Sequence, residues 1–140
     1  MSNVDLSTMK EHFRRAPFVA ELGMEVESVA GAECVTSLVI QPRHLQQHGF
    51  VHAGVQAAMA DHTMGGAAFM AAAPGFSVMT AEIKLSLLRA GQGETLICRA
   101  RVLKPGKQVT FVEAELFCVS SREERLISKA SATMAMVAIR

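Results

Sequence analysis

The segment of residues 54–72 restricts the fold more than any other part of the sequence. Its larger apolar side chains recur at spacings of three and four residues, which is the period of a helix, and Pro74 and Gly75 end the pattern. Ala and Gly lie on nearly every side of this predicted helix. We therefore expect a curved sheet to pack closely around it.

Alternating apolar and polar residues predict strands on both sides of the helix. Before it, residues 24–28 and 34–40 form a predicted hairpin, with a turn at Ala30 and Gly31 and with Pro42 as its end. After it, four strand-like runs follow without another helix, at residues 80–87, 96–103, 111–118 and 126–139. Turn residues that suit antiparallel neighbours connect these four runs, at residues 90–93, 104–107 and 121–124.

This order of elements predicts one α+β domain over residues 1–140, in which an antiparallel sheet wraps around one long central helix. Residues 1–19 form an N-terminal helical segment packed on this domain, with a capping box at residues 8–11 and with Pro17 as the end of the helix. A lone sheet of this kind exposes its far side and an edge strand, so we expect self-association.

Composition and charge exclude several classes of function. The 14 basic and 13 acidic residues leave a net charge of +1, so a nucleic-acid partner is not expected. The N-terminus lacks the apolar run of a secretory signal, and three cysteines without a C-x-x-C pair fit reduced thiols. Residues 53–73 are long enough to cross a membrane, but Gln56, Asp61 and His62 favour a buried core helix. We therefore predict a cytoplasmic protein without membrane association.

Asp61 is the only Asp, Glu, Lys or Arg between residues 44 and 81. It shares a helical face with small residues, and no basic side chain lies within one turn of it. A face open to solvent is the ordinary explanation for an Asp on a helix, but such a face normally carries more than one charge. The alternative is a face covered by a partner subunit or a substrate. There the carboxylate can act as a general base on water or as a nucleophile toward a carbonyl.

The start of the predicted helix supplies hydrogen-bond donors. The backbone N–H groups of Ala53 and Gly54 have no partner within the helix and lie at the positive end of its dipole. Such donors can form an oxyanion hole for an acyl carbonyl. Gly49, Ala53 and Gly54 also leave room for a ligand to approach the backbone closely.

Three histidines, His44, His48 and His52, lie four residues apart, which invites comparison with a metal site. This spacing would bring the three histidines together only if all of them lay on one helix, whereas Pro42 and Gly49 indicate a loop. No Cys or carboxylate accompanies the histidines as a further ligand. We therefore expect no metal. His62, which lies on the helix itself at an apolar spacing, is expected to pack in the core with its hydrogen bonds satisfied.

Gln46, the G-x-x-H-A-G segment of residues 49–54 and Asp61 in the following helix form a recognisable motif. Together with the order of elements over residues 20–138, the motif resembles the hotdog-fold acyl-CoA thioesterases. The resemblance is strongest to the phenylacetic-acid-degradation (PaaI-type) group and to 4-hydroxybenzoyl-CoA thioesterase. The family often has His-Gly-Gly where this chain has His-Ala-Gly, and Ala53 keeps the backbone donor.

The resemblance implies a role for each residue of the motif. Asp61 would be the catalytic carboxylate, as a nucleophile or as a base toward water, and Gln46 would orient the water or the thioester group. The Ala53 N–H would polarise the thioester carbonyl, and His52 would shape the loop near that carbonyl. Thr80 would match a hydroxyl contributed from the neighbouring subunit.

The resemblance also implies an assembly and a substrate. Members of the family are typically homotetramers, built as dimers of dimers, with active sites at subunit interfaces. For this chain the resemblance implies a homodimer or a homotetramer. The expected substrate is an acyl-CoA, and no cofactor is expected beyond the CoA that the substrate carries. The CoA phosphates need cations near the mouth of the site, for which Arg89, Lys104 and Lys107 are the candidates.

Two other functions stay open at the level of sequence. One is an acyl-thioester dehydratase or hydratase of the same fold that uses His48 with Asp61, although the His-Ala-Gly segment and Gln46 fit hydrolysis better. The other is a non-catalytic acyl-CoA-binding protein.

Overall fold

The computed structural model describes residues 4–139 and confirms the α+β fold class. Two N-terminal helices and a strand hairpin precede one long helix, and four strands follow it. The elements are α1 Leu6–Arg14, α2 Pro17–Leu22, β1 Glu25–Ala30, β2 Glu33–Val39, α3 Ala53–Met70, β3 Phe76–Leu87, β4 Thr95–Lys104, β5 Val109–Ser120 and β6 Glu123–Ala138. A short 3-10 helix, Pro42–His44, lies between β2 and α3.

The six strands form one antiparallel sheet in the order β1-β2-β4-β5-β6-β3. In β5 the predicted alternation holds, since every second residue from Thr110 to Cys118 is buried. These buried side chains form the core with the inner face of α3, which contacts β2 through β6. The sheet therefore wraps around the central helix, as the sequence predicts.

Close packing explains why α3 consists largely of small residues. A Cβ added to Gly66 would lie 3.2 Å from the Cys34 Sγ and 3.3 Å from the Phe13 ring. Met59 and Met64, on the same helix, are fully buried. Within residues 4–139, no helix has both the length and the apolar character needed to cross a membrane.

The N-terminal helices begin at other residues than predicted. The prediction of a capping box at residues 8–11 is wrong, because α1 begins at Leu6. Its N-cap is Asp5, whose carboxylate accepts from the Thr8 N–H at 2.8 Å. Pro17 does follow the end of α1, but it also starts α2, where its fixed φ and missing N–H suit the first turn. The predicted helical segment includes residues 1–3, which lie outside the described residues.

The strand that follows α3 pairs differently from the prediction. β3 and β4 are not neighbours, because β3 pairs with β6 at the edge of the sheet and β4 lies between β2 and β5. The connection between them passes close to other strands. A Cβ on Gly91 would lie 2.9 Å from the Ile127 side chain, and one on Gly93 would lie 2.7 Å from the Val119 carbonyl oxygen. The glycines there permit this close crossing rather than a hairpin turn.

Candidate active site

The loop before α3 is held by its own backbone. Leu45 and Val51 form an isolated antiparallel bridge, and the Gln46 N–H donates to the Phe50 carbonyl at 2.8 Å. Gly49, at the tip, has a φ of +85°, a conformation that favours glycine. The closed loop fixes Gln46 beside the start of the helix.

The Gln46 side chain divides its two polar ends between the loop and the pocket. Its Oε1 accepts hydrogen bonds from the N–H groups of His48 and Phe50, the latter at 3.4 Å. These two donors set the orientation of the amide. The Nε2 makes no hydrogen bond to any of residues 4–139. A ligand would therefore meet Gln46 as a hydrogen-bond donor.

The start of α3 keeps one free backbone donor rather than two. His52 is the N-cap, and its Nδ1 accepts from the Gly54 N–H at 2.7 Å. The prediction that the Gly54 N–H is free is therefore wrong, because the side chain of His52 folds over it. The Ala53 N–H has no partner among the described residues. Of the two N–H groups predicted to form an oxyanion hole, only that of Ala53 is therefore free of partners within residues 4–139, and it lies at the positive end of the helix dipole.

A pocket of about 420 Å³, which we call the helix-start pocket, adjoins these groups. Gln46, His52 and Ala53 line it together with Leu88 and Arg89, which follow β3. The pocket thus combines hydrogen-bond donors with apolar walls.

Asp61 lies half-buried two turns further along α3 and is bonded to Thr80. The Thr80 hydroxyl donates to the Asp61 Oδ1 at 2.6 Å. The register of β3 against β6 shifts between Thr80 and Glu82, and a bulge of this kind redirects side chains. Thr80 therefore meets Asp61 of its own chain, which differs from the expectation that its hydroxyl comes from a neighbouring subunit.

A second pocket, of about 110 Å³, lies beside this carboxylate, and we call it the Asp61 pocket. Phe13 from α1, His62 and Gly65 from α3, and Ser77 from β3 line it. A Cβ on Gly65 would meet no atom within 4 Å, so the fold gives no packing reason for a glycine there. Gly65 therefore leaves space beside Asp61.

His62 packs as predicted but does not satisfy its hydrogen bonds. Its ring lies edge-on to Phe13 with centroids 4.4 Å apart, and its Nε2 is buried without a partner among residues 4–139. Burial lowers the pKa of His62, the charge of Asp61 opposes that shift, and His12 adds to it. The imidazole beside Asp61 is therefore held toward its neutral form.

The predicted catalytic groups form two half-sites within one chain. Gln46, His52 and Ala53 line the helix-start pocket, whereas Asp61 and Thr80 line the Asp61 pocket. Asp61 follows Ala53 by eight positions, which is about 12 Å along a helix axis. A carbonyl bound to the Ala53 N–H is therefore out of reach of the Asp61 carboxylate of the same chain.

The three predicted phosphate-binding cations do not lie together. Arg89 lines the helix-start pocket, and its Nη1 donates to the Leu126 carbonyl at 2.9 Å. Lys107 lines a different pocket, of about 490 Å³, next to Ala71 beyond the C-terminal end of α3. Lys104 is exposed and ends β4, immediately before the same turn. The two lysines and Arg89 thus lie at opposite ends of the central helix.

Two of the three loop histidines make hydrogen bonds through their rings, and the third is exposed. The Nδ1 of buried His44 accepts from the Gln41 N–H at 3.0 Å, so its Nε2 carries the proton and donates to the Leu22 carbonyl at 2.8 Å. His52 caps α3, and His48 is exposed. Within residues 4–139, no three His, Cys, Asp or Glu side chains group together in a way that could hold a metal ion.

Several pocket residues were not predicted, among them one glutamine and two residues of α1. Gln56 lines the helix-start pocket, and His12 and Phe13 of α1 line the Asp61 pocket. Gln56 had a signal, since it is a polar side chain in the Ala- and Val-rich first turns of the helix. The position of α1 at the Asp61 pocket had none, because it brings together segments almost fifty residues apart in sequence.

Known proteins resemble this chain in sequence and in structure. The sequence model of the Thioesterase superfamily matches residues 48–124. A Thioesterase family protein from Silicibacter pomeroyi is 30% identical, and the match covers 94% of this chain and 96% of that one with a TM-score of 0.90. A phenylacetic acid degradation-related protein from Ralstonia eutropha is 28% identical, with coverage of 87% and 90% and a TM-score of 0.76.

A more distant likeness extends to the fold alone. The E. coli PaaI protein from the phenylacetic acid degradation operon is 19% identical, with coverage of 95% and 96% and a TM-score of 0.76. None of the curated protein sequences matches this chain. Together, the matches confirm the predicted hotdog fold and the predicted resemblance to hotdog thioesterases.

Proposed function

Because the chain belongs to the Thioesterase superfamily, we propose that it hydrolyses an acyl-CoA thioester to the free acid and CoA. The observation that carries the proposal is the hydrogen bond of 2.6 Å from Thr80 to Asp61. It holds one oxygen of an otherwise isolated carboxylate and leaves the other for water or for substrate. Among residues 4–139, no Lys or Arg forms an ion pair with Asp61.

The two half-sites supply complementary parts of the reaction. The Ala53 N–H and the Gln46 amide would donate to the thioester oxygen, where negative charge develops as the carbonyl carbon is attacked. Asp61 would either take a proton from the attacking water or attack the carbonyl itself. In both cases the C–S bond breaks and CoA leaves as the thiol after it gains a proton. Attack by water gives the free acid directly, whereas attack by Asp61 leaves the acyl group on the carboxylate as an anhydride, which water then cleaves to the free acid and the regenerated Asp61. No cofactor is needed apart from the CoA of the substrate.

We further propose that two copies of the chain complete each site. Ala53 of one copy would hold the carbonyl, and Asp61 of the other copy, oriented by its own Thr80, would activate the water or attack the carbonyl. The exposed edge strand β3 supports a homodimer, or a homotetramer built from such dimers, because Met79, Ile83 and Leu87 are 64%, 37% and 54% exposed there. An apolar edge strand with unpaired backbone groups is normally covered in a native protein.

The three candidate cations for the CoA phosphates lie at different distances from the helix-start pocket. Arg89 lines the helix-start pocket and is the best candidate for a CoA phosphate. Lys104 and Lys107 could meet the same substrate only from another copy of the chain. The hydratase alternative is weaker, because His48 lines neither the helix-start pocket nor the Asp61 pocket.

Release of free thiol from a panel of aromatic and aliphatic acyl-CoAs tests the proposed function. We expect Asp61→Asn to retain the fold and to lose at least about 100-fold in turnover, as is typical when a general base is removed. Asp5→Asn is a matched control, because Asp5 caps α1 and Asn is an equally good N-cap. The control should match the wild type.

Other outcomes would change the assignment. Near-normal turnover by Asp61→Asn would remove Asp61 from the mechanism. If the wild type releases no thiol but hydrates an enoyl-CoA, the chain is a hydratase. If it does neither and still binds acyl-CoA, the binding-protein alternative replaces hydrolysis.

A further inference from the structure

Gln56 carries a buried hydrogen-bond acceptor that the fold does not use. The residue is 3% exposed, and its Nε2 donates to the Val51 carbonyl at 3.2 Å. Its Oε1 is buried and has no hydrogen-bond partner among residues 4–139. Native proteins rarely leave such an atom unpaired, because a buried acceptor loses its hydrogen bonds to water and gains none from the protein. The missing partner of this oxygen therefore requires an explanation.

The position of Gln56 connects it to the substrate. It lines the helix-start pocket together with Gln46, His52 and Ala53, the groups assigned to the thioester. The rest of the nearby wall is largely apolar and includes Leu87 and Leu88. An unpaired acceptor in such a wall suits a ligand that is mostly apolar but carries a hydrogen-bond donor.

The spacing along the helix indicates which part of the substrate supplies that donor. Gln56 follows Ala53 by three residues, which is about 4.5 Å along the helix axis. In an acyl-CoA, the amide nearest the sulfur is separated from it by two methylene carbons, which is a comparable span. The N–H of this amide is the first hydrogen-bond donor that the substrate offers beyond the thioester.

We infer that the Gln56 Oε1 accepts a hydrogen bond from the amide N–H nearest the sulfur of the acyl-CoA. The inference rests on the proposed thioesterase function and assigns Gln56 as a positioning residue. Since Nε2 already donates to Val51, the amide orientation is fixed and the oxygen is preorganised. The contact selects thioesters of amide-bearing thiols over thioesters of simple alkyl thiols.

A pair of small substrates tests the contact at one atom. The first is the N-acetylcysteamine thioester of the preferred acyl group, which keeps the amide nearest the sulfur. The second is the S-(2-acetoxyethyl) thioester of the same acyl group, in which an ester oxygen replaces the N–H. Thiol release from both is followed for the wild type and for Gln56→Met, which removes the acceptor with an unbranched side chain of similar length.

We expect the wild type to favour the amide substrate by about tenfold in kcat/KM, the effect of one buried hydrogen bond. Gln56→Met should reduce this preference to less than twofold. The loss should appear mainly in KM, because the contact exists in both the ground state and the transition state. Ser128→Ala is the control, because it removes another buried unpaired polar atom, one that does not line this pocket. It should keep the wild-type preference.

The outcomes separate this inference from the proposed function. Equal hydrolysis of both substrates by the wild type would overturn the inference and leave the thioesterase function intact. So would a Gln56→Met variant that loses activity on both substrates by the same factor, because that marks a structural role. Thiol release from neither substrate nor from any acyl-CoA would overturn the proposed function itself. The wild-type comparison remains decisive even if the variant does not fold.

Discussion

The start and the middle of α3 carry opposite chemistry within one helix. The start presents the Ala53 N–H at the positive end of the helix dipole, and the Gln46 amide of the preceding loop lies beside it as a second donor. The middle presents an acceptor, the Asp61 carboxylate, which a single hydroxyl from Thr80 orients. Hydrolysis of a thioester needs both kinds of group around one carbonyl. Ala53 and Asp61 lie about 12 Å apart along the helix axis, which is why we propose that a second copy of the chain supplies the other half of each site.

The two regions also differ in how the fold fixes them. At the start, a closed loop and the His52 cap occupy most polar groups and leave a selected few free. In the middle, small residues create space, as the open surroundings of Gly65 illustrate. Hydrogen bonds thus fix the groups at the start of the helix, whereas small residues make room around Asp61 in the middle.

Of the changes proposed here, Ala53→Pro is expected to reduce turnover the most. Proline suits the first position of a helix, and His52 already has the extended conformation that a residue before proline needs, with φ −61° and ψ 139°. The variant should therefore fold while it loses the free N–H, and turnover should fall by about 100- to 1,000-fold. Thiol release measures the effect. Ala53→Gly keeps the donor and should stay close to the wild type, and equal activity of all three proteins would remove Ala53 from the site.

Gly65→Ala tests whether the space beside Asp61 receives part of the substrate. The added methyl group meets no atom within 4 Å, and Ala favours a helix over Gly, so the free energy of unfolding should rise by about 1 kcal/mol. The same methyl group occupies the Asp61 pocket. We expect kcat/KM for bulky acyl groups to fall by about tenfold relative to acetyl-CoA. Thermal unfolding and an acyl-CoA series check both effects, and an unchanged acyl preference would show that the substrate does not enter this pocket.

The smallest expected effect is a pH dependence of stability from His62. Burial lowers its pKa in the folded protein below the ordinary value of 6.5. Between the two pKa values, the unfolded chain binds a proton that the folded chain does not. The free energy of unfolding is therefore highest above pH 6.5 and decreases as the pH falls through the folded pKa. Urea unfolding at pH 7 and pH 5 should show a larger loss for the wild type than for His62→Phe. Identical losses would mean that His62 takes up its proton as readily in the folded protein as in the unfolded chain.

The sequence predicts the elements well because their signals are local. The alternation in β5 and the small residues of α3 each express burial along a short segment, so the strand and the helix are correctly located. Pro17 and residues 8–11 show the limit of local signals. Several residues near α1 can act as a cap, and the structure selects Asp5.

Strand pairing and free donors are not local properties. The turn residues around Gly91 predict a change of direction, but the partner of β3 depends on where the chain crosses the sheet. The free N–H of Ala53 and the occupied N–H of Gly54 differ only because the His52 ring turns back onto one of them. Asp61 could be identified from its isolation, whereas its bond to Thr80 depends on a bulge in β3. The cytoplasmic location and the absence of a metal remain predictions.

Mixing two inactive variants tests most directly whether the half-sites act across two chains. Ala53→Pro keeps Asp61 intact, and Asp61→Asn keeps the donors at the start of the helix intact. When the two are unfolded together and refolded, a mixed dimer contains one site with both wild-type halves. Statistical mixing then predicts recovery of about a quarter of the wild-type turnover. Activity no higher than the sum of the two variants refolded separately would contradict a site shared between two chains.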